Sequence, residues 1–295
     1  MVVRNQSESL IFNGIDVHFF LITKSGFFGY FMAIKPLIKT IKANKKILIH
    51  SHYSLSAFVS TIALFFIKNT PTHIVSLMGS DAKSKGWKRY FIRLFSRKYW
   101  TETIVKSVSM AQDLKLINFK VIPNGVDLSK IKFNDEINES NINTILFAAD
   151  PSRYSKNFPL AKRGIKIAQL SNEKIELLVK YNLQHIEIID VLTNSSCLLL
   201  SSRWEGSPNI IKEAMACNIP IVATNVGDVN WLLNGLDGCF VVEQNENEIA
   251  KALIKAIDFS NSNKKTKGRE RIIKLGLDSQ SISNRISNLY TDIND

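Results

Sequence analysis

The sequence contains little cysteine and lacks a long apolar run. Its 295 residues include three cysteines, Cys197, Cys217 and Cys239, and no CxxC pair. This is too few for a disulfide framework, so we expect a reducing compartment and interpret the cysteines as core residues. The longest apolar stretch, residues 55–67, is interrupted by polar residues and is too short to span a bilayer. It therefore predicts a buried helix.

The N-terminal residues lack the apolar core of a secretory signal, so we expect a cytoplasmic protein. A composition of 45% hydrophobic and 22% charged residues is that of a folded globular chain, which excludes disorder, collagen and coiled coil. The length suggests two domains, each large enough to bury a core.

Acidic residues are scarce in the first half of the chain only. Residues 1–140 hold 20 Lys and Arg against 9 Asp and Glu, and residues 141–295 hold 18 against 17. Nearly all of the net charge of +12 therefore lies in the first half. This asymmetry suggests a polyanionic neighbour for that half, either a nucleic acid or an anionic membrane surface.

Apolar β-rich runs alternate with amphipathic stretches along the chain, which predicts βα units and an α/β fold with parallel sheets. The predicted strands are residues 17–22, 46–50, 73–77, 100–105, 119–122, 143–148, 175–179, 196–201, 219–223 and 239–242. We place one doubly wound domain at residues 1–140 and a second at 141–278, joined through the polar segment 128–143. A C-terminal helix at about 279–295 is expected to pack back on the first domain. Ligands of such folds bind outside the carboxyl ends of the strands, here in a cleft between facing domains.

The most informative segment is residues 197–224, CLLLSSRWEGSPNIIKEAMACNIPIVAT. A buried strand is followed by a loop with Glu205 and Gly206, and Pro208 suits the first position of a helix. The loop therefore presents backbone donors at a helix N-terminus, which is a site for phosphate. Glu213 is expected about two turns into that helix, on the face of Asn209. The two carboxylates can accept hydrogen bonds from sugar hydroxyls on either side of a bound diphosphate.

The Glu205/Glu213 pair, an E-x7-E motif, resembles the signature of the family-4 glycosyltransferases, the retaining group 1 enzymes with the GT-B fold. Other pieces agree in order: IHSHYSLSA at 49–57, GSD at 79–81, VIPNGVD at 121–127 and FAADPSRYSKNFPLAKRG at 147–164. The resemblance runs from about residue 7 to residue 290. It implies two facing Rossmann-like domains and transfer of a hexose from a nucleotide diphosphate sugar, with retention. The implied acceptor is a glycan or a lipid-linked glycan in surface polysaccharide or lipopolysaccharide biosynthesis.

The resemblance also implies roles for single residues. Arg153 and Lys156 would hold the donor diphosphate and stabilise charge on the leaving nucleotide. Glu213 would accept a hydrogen bond from the ribose, and Glu205 would contact the donor sugar. The nucleotide-sugar site would be completed by the loop residues Gly206, Ser207, Pro208 and Asn209.

No Asp-x-Asp motif for a metal-bound diphosphate is present. Fixed cations and a helix dipole can stabilise the developing negative charge instead, so we expect no metal and no cofactor. The donor, linked to UDP, GDP or ADP, is a substrate.

The acceptor side departs from the family pattern. Met78 stands where the family usually carries a histidine near the reacting carbon, which weakens the catalytic assignment there. The second-rank candidates on this side are Gly79, Ser80, Asp81, His50 and His52. His50 and His52 follow a predicted strand two residues apart, so their rings would share one face. They could touch the acceptor or be structural, and no third ligand for a metal is evident. His18, His73 and His185 suggest only local structure.

Residues 83–106 include Lys85, Arg89, Arg93 and Arg97, which recur every four residues and form a basic stripe on a predicted helix. Aromatic residues cluster on another face. Such a helix can lie on an anionic membrane, or pack its apolar face on the sheet while its basic face is solvated. The resemblance favours the membrane, at the inner face of the cell membrane. Nucleic acid is not expected because no recognised binding module is present.

The chain opens at a predicted helix, residues 5–13, that leads into the predicted strand 17–22. GT-B proteins normally open with an earlier strand and a glycine-containing loop, so we expect either an upstream start or a shortened protein. This keeps a second hypothesis open, a degenerate GT-B protein that binds glycans or partner enzymes without catalysis. A GT-B epimerase or phosphorylase is a third.

Overall fold

The computed structural model describes residues 2–24, 26–44, 47–131, 143–262 and 264–294. The chain divides into two compact units. The N-terminal unit comprises residues 2–124 with 282–295, and the C-terminal unit comprises residues 125–281. Each unit contains one parallel sheet, so the prediction of an α/β fold with two Rossmann-like domains is confirmed. The predicted boundary at residues 140/141 lies outside the described residues.

The sheet of the N-terminal unit has four parallel strands in the order β1-β2-β3-β4. These strands are β1 (Ile49–His52), β2 (His73–Ser76), β3 (Glu102–Val105) and β4 (Lys120–Val121). The helices are α1 (Val2–Phe12), α2 (Gly26–Ala43), α3 (Ser54–Leu64), α4 (Gly79–Ala82), α5 (Gly86–Lys98) and α6 (Val108–Leu114). The apolar run at 55–67 lies largely in α3, most of which is buried, so the prediction of a buried helix is confirmed.

The core of the N-terminal unit lies between the sheet and α3, α5 and α6. Trp100 is buried there and donates its indole N–H to Thr61 Oγ1 at 2.9 Å. A buried indole needs such an acceptor, because an unsatisfied N–H in the core would be costly. The helix α2 packs on α3 through a second apolar cluster that includes Leu37 and Val59.

The predicted strand at 17–22 is wrong, because residues 15–24 form no regular element. The side chains of Phe19 and Leu21 are 53% and 73% exposed. A strand needs a hydrogen-bonded neighbour, and none of the described strands pairs with this segment. The predicted helix at 5–13 exists but begins earlier, at Val2, and ends at Phe12.

The C-terminal unit has five parallel strands in the order β6-β5-β7-β8-β9. These strands are β5 (Asn143–Phe147), β6 (Ile175–Val179), β7 (Cys197–Leu200), β8 (Ile221–Thr224) and β9 (Cys239–Val242). The helices are α7 (Phe158–Ser171), α8 (His185–Thr193), α9 (Asn209–Ala216), α10 (Val229–Leu233), α11 (Glu246–Asn261) and α12 (Gly268–Lys274). Short 3-10 turns lie at Leu128–Lys130 and Tyr154–Lys156.

Continuous apolar runs build this sheet, since β7 and β8 are buried along their whole length, as is usual for parallel sheets covered on both faces. The helices α7 and α11 pack together on one face. A Cβ at Gly164 would lie 2.5 Å from Ile249 Cγ2, so glycine lets these two helices approach closely. Cys197 and Cys217 are buried free thiols, and Cys239 is half-buried.

The C-terminal helix, α13 (Ser279–Asn294), belongs mostly to the N-terminal unit. Arg285 Nη2 donates to the carbonyl of Val121 at 2.7 Å, and Asn13 Nδ2 donates to Ser283 Oγ at 3.0 Å. None of the described helices is both long enough and apolar enough to cross a bilayer.

Candidate functional site

The predicted cations and carboxylates of the C-terminal unit lie beside the point where its strand order reverses. The strand β5 has β6 on one side and β7 on the other, so the connections that leave β5 and β7 diverge. Ligands of open parallel sheets bind at such a switch point, outside the carboxyl ends of the strands. A recess there is lined by residues from both strand ends, among them Phe147, Ala149, Lys156, Ser201 and Ser202.

Lys156, which lines this recess, forms an ion pair with Glu205. Lys156 follows β5 and Glu205 follows β7, and Lys156 Nζ lies 2.6 Å from Glu205 Oε1. Ser202 Oγ donates to the same carboxylate oxygen at 2.8 Å. The side chains of Lys156 and Glu205 are 16% and 17% exposed, so the ion pair is held by the protein but open to a ligand.

The two loops that carry this pair are fixed to each other by hydrogen bonds. Ser201 Oγ donates to the Lys156 carbonyl at 3.0 Å, and the Arg203 N–H donates to the Ser155 carbonyl at 2.8 Å. The guanidinium of Arg203 also lies over the Tyr154 ring, 4.4 Å from its centroid. Groups fixed in this way need little reorganisation when charge develops on a ligand.

Arg153 is placed differently from Lys156. It is the N-cap residue of the 3-10 turn after β5 and is exposed, and it forms no salt bridge with a carboxylate in the part of the chain that the structure describes. The structure therefore joins Lys156, but not Arg153, to the acids of the site.

The helix α9 begins at Asn209, so the prediction that Pro208 occupies its first position is wrong. Pro208 is the N-cap residue instead, with φ −70° and ψ 118°. Proline fixes φ near this value and has no side-chain oxygen, so it cannot cap the helix itself. The positive end of the helix dipole therefore lies next to Gly206 and Ser207, where it favours an anion.

Gly206 is in close contact with Gly227, which lies in the loop after β8. Gly227 has φ +61°, and a Cβ there would lie 2.4 Å from the Gly206 carbonyl oxygen. Only glycine combines this backbone conformation with this approach. The turn at Gly227 therefore packs directly against the loop that carries Glu205.

Glu213 is the fifth residue of α9, so it lies just over one turn into the helix and not two. Its Oε1 lies 3.2 Å from His185 Nε2, and both side chains are 16% exposed. The hydrogen bond to Glu213 raises the pKa of His185 above its ordinary value, against the effect of burial. The sequence suggested only local structure for His185, whereas the structure places it against a residue 28 positions away on another helix.

Two further charged residues, Lys212 and Asp228, interact with each other near the loop that carries Glu205. Lys212, next to Glu213, has no exposed surface, and burial lowers its pKa to about 8. Burial raises the pKa of Asp228 to about 6, and the hydroxyl of Ser207 and the cation of Lys212 oppose this rise. Neither residue was singled out from the sequence, because a single lysine or aspartate without a motif is typical of a protein surface.

The candidates in the N-terminal unit differ in their burial. Asp81 lies in α4 with no exposed surface, and its carboxylate accepts hydrogen bonds from Ser54 Oγ at 2.6 Å and from the Met78 N–H at 2.9 Å. Lys88 Nζ lies 3.0 Å from the same carboxylate. These bonds tie α3, α4 and α5 together. Ser80 is exposed beside it, and Gly79 is half-buried.

His50 and His52 lie within β1 and not after it, and their rings stack with centroids 4.4 Å apart. They share one face of the strand, as predicted. His50 Nε2 lies 2.8 Å from Ser76 Oγ, and its Nδ1 contacts the hydroxyl of Tyr290. Burial lowers the pKa of His50 well below its ordinary value and lowers that of His52 to about 3, so both rings are neutral near pH 7.

No group of three His, Cys, Asp or Glu side chains in the described ranges is arranged to hold a metal ion. Of the two cations predicted to bind the diphosphate, Lys156 lines the recess at the switch point.

Comparison with known proteins finds similarity to glycosyltransferases. The family model for "Glycosyl transferases group 1" matches residues 158–258. An uncharacterized glycosyltransferase of Methanocaldococcus jannaschii is 29% identical over 268 residues, which cover 77% of this chain and 72% of that protein. The Escherichia coli UDP-Gal:alpha-D-GlcNAc-diphosphoundecaprenol alpha-1,3-galactosyltransferase is 25% identical over 306 residues, which cover 87% of this chain and 78% of that protein.

Solved structures are similar to this chain over nearly its whole length. The structure of Anabaena HepE in complex with UDP-glucose matches with a TM-score of 0.74 at 15% identity, covering 97% of this chain and 88% of that one. The chain thus has the GT-B fold. The family model, the curated relatives and the structural neighbours all point to the group 1 glycosyltransferases, or glycosyltransferase family 4, a family of retaining, metal-independent enzymes.

Proposed function

We propose that this enzyme transfers a hexose from a nucleotide diphosphate sugar to a lipid-linked glycan acceptor, with retention, in the assembly of a surface polysaccharide. The observation that carries the donor half is the Lys156–Glu205 pair, which lies at the switch point beside the N-terminus of α9. This arrangement offers a cation and a helix dipole to a diphosphate, and a carboxylate to sugar hydroxyls.

The chemistry needs such groups. When the bond between the sugar and the diphosphate breaks, negative charge develops on the departing phosphate oxygen. Lys156 and Arg153 would stabilise that charge, together with the N-terminal turn of α9. Glu205 would hold the donor sugar and Glu213 the ribose, so that the reacting carbon is fixed relative to the acceptor hydroxyl.

The proposal of a lipid-linked acceptor is supported by the name of a relative and by the distribution of positive charge in this chain. The E. coli relative is named for an acceptor carried on diphosphoundecaprenol. In this chain the excess of positive charge lies in the first half. On α5, Trp87 and Tyr90 are 58% and 62% exposed, close to the exposed cations Lys85 and Arg97. Exposed aromatic rings beside cations suit the interface of an anionic membrane.

Two members of the basic stripe on α5 have structural partners. Arg89 Nε donates to the Ser84 carbonyl at 2.8 Å, and Arg93 Nε donates to the Leu114 carbonyl at 2.7 Å. The proposed membrane contact therefore rests on the ends of the stripe and on the exposed rings, at the cytoplasmic leaflet.

A transfer assay tests the proposal. The purified chain is incubated with UDP-, GDP- or ADP-hexoses and an undecaprenyl diphosphate sugar, and the product is analysed by mass spectrometry and NMR. We expect one donor to give a product that keeps the anomeric configuration of the donor. The matched control for K156A is K251A, an exposed lysine on α11.

The same assay separates the alternative of a GT-B protein without catalysis, which Met78 in place of the family histidine favours. A chain that binds a nucleotide sugar in calorimetry but neither transfers nor hydrolyses it would support that alternative. A chain that binds no nucleotide would contradict the donor site itself.

A further inference from the structure

The contact between His185 and Glu213 is not needed to stabilise the helix α8. His185 is the first residue of that helix, where the dipole disfavours a cation. The helix already has its own capping arrangement, because the Gln184 N–H donates to Glu187 Oε2 at 2.6 Å. The imidazole instead reaches Glu213, which lies 28 residues further along the chain and on another helix.

We propose that His185 is a positioning residue for the nucleotide: its imidazole holds Oε1 of Glu213, so that Oε2 is presented to the ribose hydroxyls. This inference rests on the proposed function, since it takes Glu213 as the ribose acceptor. A carboxylate on a long side chain loses rotational freedom when it binds a ligand, and a partner that fixes it beforehand lowers that cost.

The charged groups around His185 set its dependence on pH. Glu213 faces it from α9, and Asp127 and Lys130 face it from the 3-10 turn at Leu128–Lys130. Lys130 Nζ lies 3.0 Å from Asp127 Oδ2, so these two charges largely offset each other. Glu213 is then the charge that decides the state of the ring, and it raises the pKa of His185.

The sign of the effect on binding follows from that direction. Below the raised pKa His185 is a cation, which holds the carboxylate of Glu213 by a charge-assisted hydrogen bond. As the pH rises through the raised pKa this charge is lost, although a neutral ring can still donate from Nε2. Nucleotide affinity should therefore weaken above the ordinary histidine pKa of about 6.5.

Calorimetry with UDP, GDP and ADP tests the inference, using the nucleotide that the wild type binds best. We expect H185A to raise its Kd about tenfold, as for loss of one charge-assisted hydrogen bond. We expect H185Q, which keeps an N–H donor, to recover part of that loss at about pH 8 but to lack the histidine-dependent change between about pH 6 and about pH 9. Differences from the wild type cancel the titration of the nucleotide. H18A, at an exposed histidine of the N-terminal unit, is the matched control.

A double-mutant cycle separates positioning from a merely structural role. In an E213A background, H185A should change the Kd by less than about twofold, because the residue through which it acts is gone. An equal loss in both backgrounds, or a wild-type Kd and pH profile in H185A, would overturn the inference while leaving the proposed function intact. If the wild type binds none of the three nucleotides, the proposed function fails and this role fails with it.

Discussion

Lys156 Nζ and Glu205 Oε1 lie 2.6 Å apart, although the two residues follow different strands and are 49 positions apart in the chain. In the proposed donor site this pair would couple two functions. A diphosphate that binds Lys156 would compete with Glu205 for the ammonium group, and the freed carboxylate could then accept hydrogen bonds from the donor sugar. Binding of the two parts of the donor should therefore be cooperative.

Replacing Lys156 by alanine should reduce turnover more than folding. The proposed role of the ammonium group is to stabilise charge on the departing phosphate, and loss of one such donor typically lowers kcat about a hundredfold or more. Steady-state kinetics with saturating acceptor measure this. K251A, at an exposed lysine outside the site, should retain the wild-type kcat. A K156A enzyme with wild-type kcat would show that the leaving nucleotide does not depend on this cation.

Because of Asp228, the free energy of unfolding should fall as the pH rises from about 4 to about 6. Burial raises its pKa to about 6 in the folded chain, whereas an unfolded aspartate titrates near 3.9. Between these values the folded chain holds a proton that the unfolded chain has released. The contribution of Asp228 to the free energy of unfolding therefore falls with rising pH, by up to about 1.4 kcal/mol per pH unit.

D228N should lack this contribution. Urea unfolding of D228N and the wild type, compared at several pH values from about 4 to about 7, gives the difference in slope. D237N, at an exposed aspartate of the same unit, is the control and should keep the wild-type slope. Parallel curves for D228N and the wild type would contradict the burial of this carboxylate.

His73 should make the N-terminal unit sensitive to acid. Burial lowers its pKa to about 4, so the folded chain keeps the ring neutral while the unfolded chain binds a proton near pH 6.5. Its contribution to stability is complete above about pH 6.5 and is lost as the pH falls towards about 4. The shifts of His50 and His52 act in the same direction.

Trp100, whose ring centroid lies 6.5 Å from that of His73, provides a fluorescence probe of this unit. Denaturant unfolding followed at about pH 7 and about pH 5 should show a smaller loss of stability in H73Q than in the wild type. H18Q, at an exposed histidine, should behave like the wild type. An unchanged acid dependence in H73Q would show that other groups control it.

The exposed rings of α5 should contribute to membrane binding. We expect W87A/Y90A to lower the affinity for vesicles that contain phosphatidylglycerol about tenfold, because two aromatic side chains would no longer enter the interface. Co-sedimentation measures this. W231A, at a half-exposed tryptophan of the C-terminal unit, should bind vesicles like the wild type. Unchanged binding of W87A/Y90A would place any membrane contact elsewhere.

Much of the C-terminal unit could be predicted from sequence because its strands are short apolar runs with clear ends. Residues 175–179 and 239–242 agree with the structure at both ends. The loop with Glu205 and the helix after it were also predicted, since glycine and proline mark them. The position of Pro208 was missed by one residue because proline is compatible with both the N-cap and the first helical position.

The remaining errors come from contacts between distant residues. The segment 17–22 has the composition of a strand, but pairing decides whether such a segment becomes one. The partners of His185 and Asp228 lie on elements that only the fold brings near. One local signal was available for His185: a histidine at the start of a helix, after a capping Gln184, stands where the dipole disfavours its charge.

The central claim is that Lys156, Glu205 and Glu213 form a nucleotide-sugar site, and calorimetry tests it most directly. The wild type, K156A and E213A are titrated with UDP-, GDP- and ADP-hexoses, with K251A as the matched control. The account predicts that the wild type and K251A bind one of these donors, and that K156A and E213A each bind it at least about tenfold more weakly. Binding of that donor with wild-type affinity by both K156A and E213A would contradict the account.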